Sequence, residues 1–173
     1  MKKGLLMVFT GNGKGKTTAA MGMALRSAGH GLKVCFIQFI KGGWKYGEID
    51  AMDRFSDLID FHVMGKGFTW KSKDMEEDAF MACKAWEFAR DTIAAGRHHL
   101  IVLDEFTYVM NHGIVDCQSV LEARKHGNDM QHIVITGRDA APELIAASDL
   151  TTEMLPIRHP FDSGVKGQKG IEF

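Results

Sequence analysis

The chain is short of the features that would tie it to an oxidising compartment, a membrane or a polyanion. It has three cysteines, Cys35, Cys83 and Cys117, odd in number, far apart and without a Cys-x-x-Cys pair. Neither a disulfide framework nor a structural zinc site is indicated, and the thiols read as reduced core groups. Its 21 Lys and Arg are balanced by 22 Asp and Glu, so there is no electrostatic reason to expect a nucleic-acid or membrane-surface binder, and anion binding must be local. No apolar run approaches transmembrane length. Lys2-Lys3 and the apolar Leu5 to Phe9 are too short for a signal peptide and run into glycines rather than a cleavage site. The expectation is a cytoplasmic protein with no membrane and no nucleic-acid partner. Eight histidines show no metal-ligand spacing. Repeats, low-complexity tracts and linkers are lacking as well, so the 173 residues read as one domain, 1–173, large enough to bury a core without staples.

What is present begins at Thr10-Gly11-Asn12-Gly13-Lys14-Gly15-Lys16-Thr17-Thr18. This stretch joins the apolar Leu5 to Phe9 to the Ala- and Met-rich segment Ala19 to Ala28, which places it between a buried strand and a helix. In that setting backbone N–H groups and the helix dipole converge on an anion. Lys16 can reach distal phosphates, and Thr17 offers a hydroxyl to Mg²⁺. The general P-loop pattern has glycine five residues before Gly15, where this chain has Thr10; Gly11, Gly13 and Gly15 supply the freedom instead. A nucleotide phosphate is the expected ligand.

Further strands are predicted at Leu32 to Ile40, Leu58 to Val63, Leu100 to Glu105, His132 to Thr136 and Leu150 to Ile157, with helices at Glu48 to Phe55, Asp74 to Ala95, Val115 to Lys125 and Pro142 to Ala147. In the longest helix Ala79, Cys83, Trp86, Ala89 and Ile93 fall on one 3.6-residue face, which predicts Cys83 and Trp86 in the core. The near-continuous apolar strands point to a parallel sheet covered on both faces. Alternating strands and helices behind a phosphate loop imply an open, mostly parallel α/β sheet of the P-loop NTPase, RecA-like kind, whose ligands sit beyond the carboxyl ends of the strands. That edge collects the phosphate loop, the loops Lys41 to Gly47 and Gly65 to Trp70, Asp104-Glu105 and Gly137-Arg138. Asp104 and Glu105 close four aliphatic residues, as the second element of a nucleotide site does. Arg138 stands where it can meet phosphate, with Lys14 and Lys41 as weaker candidates. Phe68 and Trp70 are either packing groups of an ordered loop or a wall for a flat, largely apolar ligand. The glycine-rich tail, His159 to Phe173, carries apolar anchors and is expected to order against the site.

The chain resembles the P-loop-type ATP:corrinoid adenosyltransferases, the cob(I)alamin adenosyltransferase family. The resembling segments are the phosphate loop at 10 to 18, Gln-Phe-Ile-Lys-Gly at 38 to 42, Gly-Phe-Thr-Trp at 67 to 70, Leu-Asp-Glu-Phe-Thr-Tyr at 103 to 108, Ile-Thr-Gly-Arg at 135 to 138 and His-Pro-Phe-Asp-Ser-Gly-Val-Lys at 159 to 166. They occur in order and span almost the whole chain.

The resemblance implies that Co(I) of a reduced corrinoid attacks C5′ of ATP, giving an adenosylated corrinoid and triphosphate. It implies triphosphate binding by Gly11, Asn12, Gly13, Lys14, Gly15, Lys16, Thr17 and Thr18. Thr17 and Glu105 are then assigned to Mg²⁺ (or Mn²⁺), with Asp104 as a supporting acceptor. Phe68 and Trp70 match an aromatic pair that closes the lower face of the corrin and eases reduction of Co(II). A reduced flavoprotein as electron donor and a homodimer are implied too. Only Met1 to Gly4 precede the first strand, where the family commonly carries a helical extension thought to cover the partner's site, so closure of the site by that route is in doubt. Two rival readings stand beside this one. The first is a P-loop ATPase or kinase resembling type II thymidine kinase, whose usual four-cysteine zinc lobe these three cysteines cannot build. The second is a non-catalytic nucleotide or corrinoid sensor.

Overall fold

A computed structural model of the protein describes residues 3–40, 47–65 and 75–171. Phe68, Trp70 and Lys41 lie outside the described residues. Six strands form one sheet: β1 (Leu6–Thr10), β2 (Val34–Gln38), β3 (Ile59–Val63), β4 (Leu100–Asp104), β5 (His132–Thr136) and β6 (Leu150–Glu153). Their order is β3-β2-β4-β5-β1-β6, and every neighbouring pair is parallel. Helices α1 (Lys16–Gly29), α2 (Gly47–Met52), α3 (Met75–Ala95), α4 (Phe106–Asn111), α5 (Cys117–His126) and α6 (Pro142–Ala147) connect them. This is the α/β architecture of a P-loop NTPase-like domain.

Alternation along each strand divides the core. Leu6, Val8, Ile37, Ile101, Leu103, Ile133 and Ile135 face α3, α5 and α6, while Met7, Phe9, Val34, Phe36, Val102 and Val134 face α1. With a helix layer on each side, β1, β2 and β4 are buried at all five of their residues, which is why they read as continuous apolar runs. The edge strand β6 pairs only through β1, and its four residues are all exposed.

Several boundaries differ from expectation. β2 stops at Gln38 and β6 at Glu153, each short of the predicted end. In α3 the predicted Ala89 and Ile93 are buried, but the stripe continues through Ala85 and Ala82 rather than through Trp86, Cys83 and Ala79. Alanines let the helix lie close to the sheet, and this rotates Cys83 to the surface, so Cys83 is not a core thiol; Cys117 is half-buried, and Cys35 is the buried one. Trp86 is partly buried at the edge of the core and stacks on Phe106, with ring centroids 5.3 Å apart. Helix α4 was not expected: Phe-Thr-Tyr-Val-Met-Asn carries strand-type residues, but Phe106 is buried between Phe39 and Trp86 and pins a helical turn directly after β4. Among the described residues no helix is long and apolar enough to cross a membrane.

Candidate active site

The order of the strands makes the site. After β1 the chain crosses by α1 to β2, three places away, and β4 and β5 later fill the gap, so a crevice opens over the carboxyl ends of β1, β5 and β4. An open cleft of about 980 Å³ lies there, lined by Asn12, Gly13, Lys14, Gly15, Lys16, Thr17 and Thr18, by Glu105 and Arg138, and by residues of the segment after β6. Of residues 11 to 18, those expected to bind the triphosphate, Gly11 alone does not line the cleft; it is buried behind it.

Close approach explains the loop's glycines as much as phosphate does. Gly11 has φ +92°, and a Cβ there would stand 2.5 Å from the Met154 carbonyl oxygen. Met154 N–H donates to the Thr10 carbonyl at 2.9 Å, and Gly13 N–H donates to the Met154 carbonyl at 2.6 Å. The chain beyond β6 is thus laced to the loop, and one loop amide already has a protein acceptor. Helix α1 begins at Lys16 with no side-chain cap and no acidic residue in its first turn, which leaves its amino-terminal dipole to act on an anion.

Lys16 is 8% exposed. Its ammonium donates to the carbonyls of Gly11 at 2.7 Å and Gly13 at 2.8 Å. Burial lowers its pKa from the ordinary lysine value; the nearby carboxylates of Glu105 and Asp104 oppose that shift and Arg138 adds to it. A cation already desolvated and held at a loop of N–H groups is suited to pairing with a phosphate.

Asp104, at the end of β4, is fully buried. Its Oδ1 accepts from Thr17 Oγ1 at 2.9 Å and Thr136 Oγ1 at 2.7 Å, and its Oδ2 accepts from Gln38 Nε2 at 3.1 Å. It therefore stands behind Thr17 and does not line the cleft. Thr136 Oγ1 also accepts the Glu105 N–H at 2.9 Å, so a single hydroxyl couples the two acidic residues. Glu105 has φ +62°, a left-handed conformation that costs a non-glycine residue about 1 kcal/mol or more and that concentrates at functional sites. That turn directs the chain from β4 into α4 and leaves Glu105 on the cleft.

The donor set available to a cation is the Thr17 hydroxyl and the Glu105 carboxylate, hard oxygens that fit Mg²⁺ together with substrate phosphates. Among the described residues no three His, Cys, Asp or Glu side chains cluster to cage an ion.

Sequence reasoning gave no role to Gln38, Thr136 or Tyr108. All three lie inside quoted segments, but a polar residue ending a strand, as Gln38 and Thr136 do, has no periodic signal. Tyr108 lines the cleft, and burial raises its pKa, with Glu105 adding to the effect. Across the cleft stand Pro156, His159, Phe161, Asp162, Gly170 and Ile171, so described tail residues line the site while residues 160–171 stay exposed.

A family model described as ATP:corrinoid adenosyltransferase BtuR/CobO/CobP matches residues 2–173. A Pseudomonas aeruginosa PAO1 protein named corrinoid adenosyltransferase is 44% identical over 99% of this chain and 85% of its own length. Proteins of that name from Sinorhizobium sp. and Escherichia coli K12 are 42% and 38% identical, again over 99% of this chain, and over 81% and 87% of their own lengths. With the cleft and its phosphate loop, these matches establish that the chain belongs to the ATP:corrinoid adenosyltransferase family.

Proposed function

We propose that the protein transfers the 5′-deoxyadenosyl group of ATP to Co(I) of a reduced corrinoid and releases triphosphate. The cobalt–C5′ bond forms as the C5′–oxygen bond breaks; two electrons pass from cobalt, which becomes Co(III), and the leaving oxygen keeps its bonding pair. Such a nucleophile needs no serine, cysteine or general base. The protein has to place C5′ in line and offset charge on the leaving triphosphate. The observation that carries this reading is the meeting of the α1 amino terminus, Lys16 and Arg138 on one wall of a cleft, in a chain of this family.

Lys16 and the N–H groups of Asn12 and residues 14–18 bind the triphosphate, that of Gly13 being bonded to the Met154 carbonyl, and Arg138 meets its far side. Asp104 holds the Thr17 hydroxyl through its hydrogen bond, and Thr136 keeps the Glu105 backbone in place. Thr17 and Glu105 would hold Mg²⁺, which supplies further charge compensation on the phosphates when bound. We assign Phe68 and Trp70, on the strength of their Gly-Phe-Thr-Trp context, to the wall beneath the corrin. A reduced flavoprotein would deliver the electron that converts Co(II) to Co(I), and a homodimer is the expected assembly.

ATP labelled at C5′ tests the reaction: the label should appear in the corrinoid. Label retained in ADP or in a phosphorylated acceptor's coproduct would replace this reading with phosphoryl transfer. For the aromatic wall, Phe68→Ala and Trp70→Ala should lower turnover from Co(II) more than turnover from chemically reduced Co(I). Equal losses with both substrates would remove the assignment.

A further inference from the structure

Within the connection between β5 and α6, residues 137–140 bring Arg138 to the cleft and are tied down from two sides, by β1 and by α4. Gly137 N–H donates to the Phe9 carbonyl at 3.2 Å. The Arg138 carbonyl accepts from Thr107 Oγ1 at 2.7 Å and from Asn111 Nδ2 at 3.4 Å, both on α4. Ala140 N–H donates to Thr10 Oγ1 at 3.1 Å. Thr107 is 1% exposed and Thr10 5%, and a hydroxyl so buried is costly unless bonded. There is no slack between the loop and α4, because Gly137 has φ +142° and a Cβ on it would lie 1.9 Å from Thr107 Oγ1. Thr10 is also the residue that stands in place of the general P-loop glycine, which could make no such bond.

We propose that Thr10 and Thr107 are positioning residues whose hydroxyls clamp residues 137–140 and so set where the Arg138 guanidinium stands over the triphosphate. Thr10 ties the loop to β1 and the phosphate loop. Thr107 ties it to the helix that follows Glu105. Arg138 is thereby placed with respect to both halves of the anion site, although its side chain is exposed and its own rotamer is not fixed by burial. This inference rests on Arg138 acting on the triphosphate, as proposed above.

The test is calorimetric titration of the full chain with tripolyphosphate, as a double-mutant cycle. Thr10→Val and Thr107→Val keep the shape and remove the hydroxyl. Each should weaken tripolyphosphate about three- to tenfold, while Arg138→Ala weakens it about tenfold or more. In the Arg138→Ala background neither valine change should weaken binding by more than about twofold, since the hydroxyls act through the arginine. Thr10→Ser and Thr107→Ser keep the hydroxyl and should bind within about twofold of the parent. The serine variants, with Thr107→Ala as a change that cannot overpack, carry the test if a valine variant does not fold. Full affinity in the hydroxyl-free variants, or an equal loss with and without Arg138, overturns the clamp. Unchanged affinity in Arg138→Ala overturns the role of Arg138 itself, and the clamp with it.

Discussion

Two walls face each other across the cleft, and they are built on opposite principles. One rises from the strand ends and the starts of α1 and α4: Lys16 lines the cleft, and behind that wall Asp104, Thr136, Gln38 and Thr107 are buried, each bonded to a group on another element, as Lys16 is to its own loop. The other is the segment after β6, where Phe161 is 76% and Ile171 80% exposed. It is attached to the first wall at its near end, through Met154. The contrast separates two tasks. Charge on a triphosphate is stabilised best by groups that do not reorganise, which buried and mutually bonded side chains supply. A wall of exposed apolar groups gains its packing partners from whatever enters the cleft.

The largest effect should come from the rigid wall. Lys16→Ala removes the one buried cation of the phosphate loop and should lower kcat/KM by 10² or more, about 3 kcal/mol, with little change in Tm. If the loss were under tenfold, the triphosphate would not be held there. Next, Asp104→Ala leaves Thr17, Thr136 and Gln38 without their shared acceptor and should cost about 2–4 kcal/mol of stability in denaturant unfolding, as well as activity.

A control lies away from both walls. Asp149 accepts from Lys3, Leu6 N–H and Arg124, and these contacts, the Lys3 hydrogen bond first, hold its carboxyl down at about 2. Its folded pKa is below the ordinary value of 3.8, so its contribution is complete above that value and is lost as pH falls from about 4 to about 2. Asp149→Asn should cost about 1–2 kcal/mol at neutral pH and flatten that acid limb while leaving ATP handling unchanged.

The smallest effect on stability belongs to the exposed wall. Phe161→Ala should change unfolding free energy by less than about 0.5 kcal/mol yet raise the KM of a substrate a few-fold. A large stability loss would show that the two walls are not as different as their burial indicates. A pH profile sharpens the same point. Lys16 has a lowered pKa in the free protein, and a bound triphosphate favours its charged form, so binding takes up a proton on the alkaline side and KM for ATP should rise with pH there.

How far the sequence discloses this molecule follows the same division. Apolar runs covered on both faces announced the buried strands and the parallel sheet, and the Gly-Lys-Thr loop announced the anion site. The register of α3 was hidden because its buried stripe is mostly alanine, which carries little hydropathy contrast beside Cys83 and Trp86. Helix α4 was hidden because its first four residues, Phe106 to Val109, favour a strand and the packing of Phe106 turns them into a helix. Gln38, Thr107 and Thr136 are invisible one at a time; they acquire a role only when β2, α4 and β5 bring them to Asp104 and Arg138. Thr10 was visible as a departure from the P-loop pattern, but its partner, Ala140 N–H, is contributed from far along the chain.

The central claim is that the phosphate loop holds a leaving group rather than a phosphoryl group in transfer. It is tested most directly by incubating the protein with ATP, Mg²⁺ and chemically reduced corrinoid, and counting products against the light-sensitive alkylcobalt spectrum. The account predicts one intact tripolyphosphate for each cobalt–carbon bond formed. ADP and orthophosphate in that ratio, or phosphate release without an alkylcobalt product, would contradict it.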